Sequence, residues 1–216
     1  MDGSSVIGTL HLADQDLTLL INSWSSPWTD GFWMMMSDKY FWIPAYLICV
    51  FFLFKRLGWR RALIVLASCA VAFALCDQLS NIVKHAVVRL RPSYSSRMLH
   101  DGLNILERRG GFYGFFSAHA ANAFAIAECL IIGFRNDKTH TYKAFRFWTI
   151  VWASLVSVSR IFVGKHYLGD VLVGTVIGIT VGYLAGTAAS HIIKRILDKE
   201  PKVPAGYSPS ESPSTP

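Results

Sequence analysis

The chain has 216 residues, of which 52% are hydrophobic and only 16% charged, whereas a soluble domain carries charges at roughly a quarter of its positions. The apolar residues fall in long blocks and the net charge of +7 is distributed between those blocks. That arrangement argues for a membrane protein and against a nucleic-acid-binding module.

The first twenty residues contain His11, Asp14 and Asp16 and lack a basic start, so the spans themselves are expected to direct insertion. Residues 14–24 are short and partly polar, which predicts an amphipathic helix lying at the membrane interface. Ser25, Ser26 and Pro27 mark a break. The first span is expected at Tyr40–Phe54, assisted by the apolar residues Phe32–Met36. Fifteen residues of helix reach only about 22 Å, short of a hydrocarbon core of ~30 Å. A basic turn with Lys55, Arg56, Arg60 and Arg61 leads to a second span, Ala62–Val83. Residues 84–115 read as a long polar loop. The third, fourth and fifth spans follow at Ser117–Phe134, Phe145–Val163 and Tyr167–Ile193. The four cysteines all lie inside apolar blocks without metal-type spacing, and read as reduced packed thiols.

The fold class expected is therefore all-α: a polytopic transmembrane bundle of about five spans plus an interfacial N-terminal helix. A sixth span drawn from residues 14–36 is the alternative. The membrane-embedded domain is expected over residues 1–193, and the Lys- then Pro/Ser-rich residues 194–216 read as a disordered cytoplasmic tail. Gly174, Gly178, Gly182 and Gly186 recur every fourth residue of the fifth span, a stripe that allows close helix packing in lipid. The turns at 55–61 and 135–146 and the tail carry twelve of the 21 Lys and Arg. The positive-inside rule then places the tail in the cytoplasm and the other end of the bundle outside.

Three segments sit at span mouths on that outer side. Lys84-His85-Ala86-Val87-Val88-Arg89-Leu90-Arg91-Pro92 is the first, Phe116-Ser117-Ala118-His119 the second, and Ser159-Arg160 through His166-Tyr167-Leu168-Gly169-Asp170 the third. Lys84, Arg91 and Arg160 are cations beside apolar helices, and together they call for an anion such as phosphate. Lys84 and Arg91 are seven residues apart, so they share a face if the helix persists. Ser117 is a natural N-cap, and a helix N-terminus at Ala118 and His119 favours an anion. His166 and Asp170 lie on one helical face. A carboxylate that fixes the imidazole tautomer makes His166 a nucleophile toward phosphorus, leaving His119 to protonate the departing oxygen.

At these residues the sequence resembles the type 2 phosphatidic acid phosphatase family, which shares its active site with vanadium haloperoxidases. The family pattern is K-x6-RP, then PSGH, then SR-x5-H-x3-D. Lys84–Pro92 and Ser159–Asp170 match in full, while Phe116 stands for Pro and Ala118 for Gly in the second motif. The resemblance implies that Lys84, Arg91 and Arg160 bind the phosphoryl oxygens and that Ser117 and the amide of Ala118 help cradle them. It implies His119 as general acid, His166 as the residue that forms a phosphohistidine, and Asp170 as its support. No metal or cofactor is implied. The expected function is hydrolysis of a phosphate or diphosphate ester on a lipid in the bilayer. Undecaprenyl diphosphate and lipid A phosphate lead, with phosphatidic acid and phosphatidylglycerol phosphate behind them. A bacterial inner membrane with the site facing the periplasm is the expected location. Two rivals are a non-enzymatic transporter or binding protein for an anionic lipid, and a metal-dependent hydrolase with His119, His166 and Asp170 as ligands. Three adjacent cations count against the metal. The loop residues Arg97, Arg108 and Arg109 are expected to shape head-group choice.

Overall fold

The computed structural model describes residues 3–197. Eight α-helices run in order: α1 Gly3–Asn22, α2 Pro27–Ser37, α3 Ile43–Leu57, α4 Trp59–Val87, α5 Ser96–His100, α6 Ala118–Phe134, α7 Lys143–Phe162 and α8 Leu168–Ile196. A 3₁₀ turn at Pro92–Tyr94 and one isolated bridge, Leu90 to Tyr113, complete the described residues. Helices α3, α4, α6, α7 and α8 are the five expected spans, with ends within four residues of the expected bounds. Of these, α4, α7 and α8 are long and apolar enough to cross a membrane unaided. Helix α8 continues to Ile196, and the remainder of the expected tail, 198–216, lies outside the described residues.

The shortness of α6 has a structural reason. It is the central helix, packed against α8, α4 and α7, and twelve of its residues are buried, including Ala120, Ala121, Ala125 and Cys129. Neighbouring helices rather than lipid surround it, so it need not match the bilayer thickness. The glycine stripe makes this packing possible. A Cβ on Gly174 would come within 2.5 Å of the Ser117 carbonyl oxygen, and one on Gly182 equally close to that of Ala125. A Cβ on Gly178 would overlap the Ala121 carbonyl. Leu172, Val176 and Leu184 on the same helix are exposed, as lipid contact requires.

Residues 14–36 do not form one helix. The chain breaks between α1 and α2 at Ser23–Ser26, and α2 opens on a capping box in which the Ser26 N–H donates to Thr29 Oγ1 at 3.0 Å. Helix α1 begins at Gly3, earlier than position 14, and its amphipathicity is reversed relative to a soluble helix. Gln15, Thr18 and Asn22 are buried against the protein, while Leu10, Leu17 and Leu20 face outward.

The basic segments gather at one end. Leu57, Ala62, Phe134 and Ile193 pack together there, and Arg56 Nη1 lies 2.8 Å from His140 Nε2, joining the two expected cytoplasmic turns. The ends of α4, α6, α7 and α8 that carry the three motifs lie opposite.

Substituting Gly178→Ala is expected to cost about 1–3 kcal/mol through overpacking against α6, read as a lower melting temperature in detergent. Gly31→Ala, whose Cβ would meet nothing within 4 Å, should leave the melting temperature unchanged or raise it.

Candidate active site

Lys84, Arg91, Ala118, His119, Arg160 and His166 all line one cavity of about 340 Å³. Four elements supply them: the end of α4 and the segment after it, the start of α6, the end of α7, and the turn into α8. Arg160 and His166 are buried, Lys84 and Arg91 half-buried, and His119 is exposed to the cavity. The sequence-expected set thus converges on one space, except for Ser117 and Asp170, which stand behind it as supports.

Lys84 and Arg91 do not share a helical face. Helix α4 ends at Val87, and Val88 adopts a left-handed conformation with φ of +54°, an uncommon state for a β-branched residue. The chain then turns back in extended form, with the Arg91 N–H donating to the Phe112 carbonyl at 2.8 Å and the Gly114 N–H to the Arg89 carbonyl at 2.9 Å. Arg91 reaches the cavity from this ribbon. A Cβ on Gly114 would stand 3.0 Å from Arg91 Cγ and 3.2 Å from Asp170 Oδ2, so any larger residue there would press on both side chains.

Ser117 is the N-cap of α6, its hydroxyl accepting from the Ala120 N–H at 3.4 Å. Its own N–H donates to the Asp170 carbonyl at 3.0 Å, tying the mouth of α6 to α8. The Ala118 and His119 amides precede the first i→i−4 bond, from the Ala121 N–H to the Ser117 carbonyl, and so remain oriented toward an anion. Phe116, which departs from the family motif, is buried against Ala72, Cys76 and Ala121, and its carbonyl accepts from Ser80. It anchors the loop through packing.

Asp170 is fully buried. Its Oδ1 accepts from Arg89 Nη1 at 2.7 Å and its Oδ2 from the Tyr167 N–H at 3.1 Å. His166 Nδ1 lies 3.4 Å from the same Oδ2. That separation sets the ring beside the carboxylate but is too long for a good hydrogen bond, and Nδ1 has no better partner. Catalytic contacts of this kind are often loose before substrate arrives. Burial, reinforced by Arg91, Arg160 and Lys84, holds the His166 pKa well below its ordinary value, with the Gly114 carbonyl opposing. The imidazole is therefore neutral near pH 7, the form a nucleophile needs.

Several contributors carry no sequence signal. Arg89 bridges Asp170 to Asp14 of α1 at 2.6 Å and stacks on the Tyr167 ring with its guanidinium carbon 4.1 Å from the centroid. Asp14 also accepts from the Gly169 N–H at 2.8 Å, and Thr18 from the Leu168 N–H at 3.0 Å. Asn22 donates to the last carbonyls of α7, Ile161 and Phe162, each at 3.0 Å. The polar stripe of α1 thus clamps the α7–α8 turn that carries His166. On the opposite wall, Glu107 pairs with Arg160 at 3.3 Å and Lys165 at 3.7 Å and accepts from Ser37 of α2. The head-group arginines of the loop lie elsewhere: Arg97 pairs with Asp16 at 2.6 Å, Arg109 stacks on Tyr94, and neither they nor Arg108 line the cavity. Asp77 does line it.

Away from the cations the cavity wall becomes apolar with Trp42, Tyr46, Phe73, Ile126 and Trp152. Two further apolar grooves, of about 260 and 250 Å³, continue from it on either side of α3, sharing Tyr46 and Ile126. Among the described residues, no three His, Cys, Asp or Glu side chains cluster as metal ligands. The arrangement can hold a tetrahedral anion at one pole and hydrocarbon at the other.

Residues 61–194 match the family model described as PAP2 superfamily. Two curated relatives bear the name lipid A 4′-phosphatase. The one from Bacteroides thetaiotaomicron is 33% identical over 190 residues, covering 87% of this chain and 82% of that protein. The one from Porphyromonas gingivalis is 32% identical, covering 79% and 70% respectively. Among solved structures, a transmembrane PAP2-type phosphatidylglycerolphosphate phosphatase from Bacillus subtilis superposes with a TM-score of 0.68 at 20% identity, covering 87% of this chain and 89% of that one. Aquifex aeolicus LpxE superposes with a TM-score of 0.58 at 23% identity, covering 79% and 92%.

Replacing Arg89 by Met leaves two carboxylates without their cation, one of them fully buried. Removing one partner of a buried pair costs about 3–5 kcal/mol. The expected result is faster hydrogen exchange over residues 10–22 and the α7–α8 turn, partly restored in Arg89→Lys. Unchanged exchange in Arg89→Met would show that the clamp does not hold α1.

Proposed function

Since the chain belongs to the PAP2 superfamily, we propose that its cationic cavity hydrolyses a phosphate ester through a phosphohistidine on His166. The protein is an integral membrane lipid phosphatase. In this reading Lys84, Arg91 and Arg160 bind the non-bridging phosphoryl oxygens, with Ser117 and the Ala118 amide at the helix mouth. Nε2 of His166 attacks phosphorus as the bond to the lipid oxygen breaks. His119 gives its proton to that departing oxygen, then takes one from the water that attacks the phosphohistidine. Inorganic phosphate leaves and His166 is restored. Asp170 steadies the imidazole as it gains charge. The observation that carries this reading is the convergence of three cations and two histidines from four separate chain segments on one cavity.

For the substrate, we favour a phosphate on the sugar headgroup of lipid A over undecaprenyl diphosphate. Support comes from two relatives of that name matching most of both chains. The apolar grooves flanking α3 suit acyl chains. A transporter would use the cations but leave His119 and the His166–Asp170 pair without a role.

Phosphate release from lipid A, undecaprenyl diphosphate, phosphatidic acid and phosphatidylglycerol phosphate tests the reading. His166→Ala is expected to lose all measurable turnover. His119→Ala should lose roughly 10²–10⁴-fold, with residual phosphate trapped on His166 and visible by phosphorus NMR. Wild-type turnover by His166→Ala would remove the nucleophile from the scheme.

We further infer a bacterial inner membrane with the cavity facing the periplasm, supported by the clustering of basic turns at the opposite end. On a cysteine-free background, His100→Cys, at the exposed end of α5 in the segment joining α4 to α6, should react with an impermeant maleimide from the periplasmic side. Labelling only after the inner membrane is disrupted would reverse the orientation.

A further inference from the structure

Deeper in the cavity, beyond the cations, two polar atoms are buried without a partner: Oδ1 of Asn122 and Nε1 of Trp152. Both residues line the same cavity that holds Arg160 and His166. An unpaired buried amide or indole in a membrane bundle costs on the order of 1–3 kcal/mol each. Nearby residues of the same type do find partners: Trp42 donates through its Nε1 to the Met36 carbonyl at 3.1 Å.

Their placement follows from helix geometry. Asn122 lies three residues past His119 on α6, on the same face and about 5 Å further along the axis. Trp152 lies eight residues before Arg160 on α7, about 12 Å away along the axis. Asn122 therefore lies nearer the cations, and Trp152 lies where the cavity meets an apolar groove that it also lines. The indole is held edge-on by Trp42 and Tyr46, with ring centroids at 5.8 and 6.0 Å, so its N–H direction is fixed before any ligand arrives.

We propose that Asn122 and Trp152 read the acyl linkage of the substrate. The indole N–H donates to the carbonyl oxygen of an acyl amide or ester. The Asn122 amide oxygen accepts from an amide N–H or a hydroxyl close to the phosphate. A donor and an acceptor on the wall of one cavity complement an acylated sugar phosphate. They find nothing on a polyprenyl diphosphate, whose hydrocarbon begins directly after the phosphates. This inference rests on the lipid phosphatase reading and narrows its substrate class.

The test compares kcat/KM of wild type, Asn122→Leu and Trp152→Phe on lipid A, and on two references without an acyl linkage, undecaprenyl diphosphate and p-nitrophenyl phosphate. Asn122→Leu keeps the branched outline of the side chain while removing the amide, and Trp152→Phe keeps an aromatic ring while removing the indole N–H with its second ring. Each variant is expected to lose about ten-fold on lipid A, one hydrogen bond's worth. Each should stay within about two-fold of wild type on whichever reference is turned over. Equal losses on lipid A and the references, or no loss on lipid A, would overturn the proposal. So would wild-type turnover of undecaprenyl diphosphate with none of lipid A. If wild type releases phosphate from no substrate, the phosphatase reading itself falls and this inference falls with it.

Discussion

The Asp170 carboxylate is the constraint around which this end of the molecule is organised. A carboxylate with no solvent exposure is tolerated only when paired and hydrogen-bonded. Arg89 and the Tyr167 N–H meet that demand, and the His166 ring stands 3.4 Å from the same carboxylate. Arg89 in turn needs Asp14, and Asp14 brings the whole of α1 onto the α7–α8 turn. The Asp170 main chain holds the mouth of α6 through the Ser117 N–H. One buried residue, through its carboxylate and its main chain, therefore fixes four chain segments relative to each other, and the imidazole stands where those segments meet.

The rest of the bundle supplies the rigidity that such a site needs, by means suited to lipid. With no hydrophobic gain from helix association inside a bilayer, close van der Waals packing must serve instead. The glycines of α8 let it approach the alanines of α6 to backbone contact, so the two motif-bearing helix mouths cannot slide. Polar side chains face inward and leucines outward in α1, which makes hydrogen bonds in a dry environment the cement between that helix and the site. The cavity beside this frame is lined by Lys39, Lys84, Arg91 and Arg160 against Asp77, with Glu107 pairing Arg160 from behind. That imbalance of charge is stable only with water or an anion in place.

The five helices expected as spans and the gathering of the motif residues at one end were legible in the sequence because both leave local signatures: apolar blocks of about span length, and charged residues at fixed spacing around span ends. The glycine period announced its packing role equally directly. What stayed hidden depends on partners distant in the chain. Arg89 reads as one more loop cation until Asp14 and Asp170, more than seventy residues away on either side, are brought beside it. The shared face of Lys84 and Arg91 failed because α4 stops at Val87 through a left-handed Val88, and a β-branched residue there gives no warning. Helix α1 reached further toward the N-terminus than its composition suggested, since its polar stripe is matched to the α7–α8 turn rather than to water.

Recognition of a phosphoryl group by three cations cannot by itself separate one membrane phospholipid from another, because every candidate substrate offers the same oxygens. Binding energy spent there is common to all of them and adds nothing to discrimination. Apolar grooves beside α3 are little better, since an added or missing methylene changes affinity only modestly. Selectivity must arise where candidate lipids differ sharply in hydrogen-bonding capacity, which is the junction between headgroup and chains. Leaving Asn122 and Trp152 unpaired in the protein has a stability cost, and the same cost penalises any ligand that fails to pair them. A polar pair at that depth therefore rejects the wrong lipid by the free energy it withholds, while the cations treat both alike.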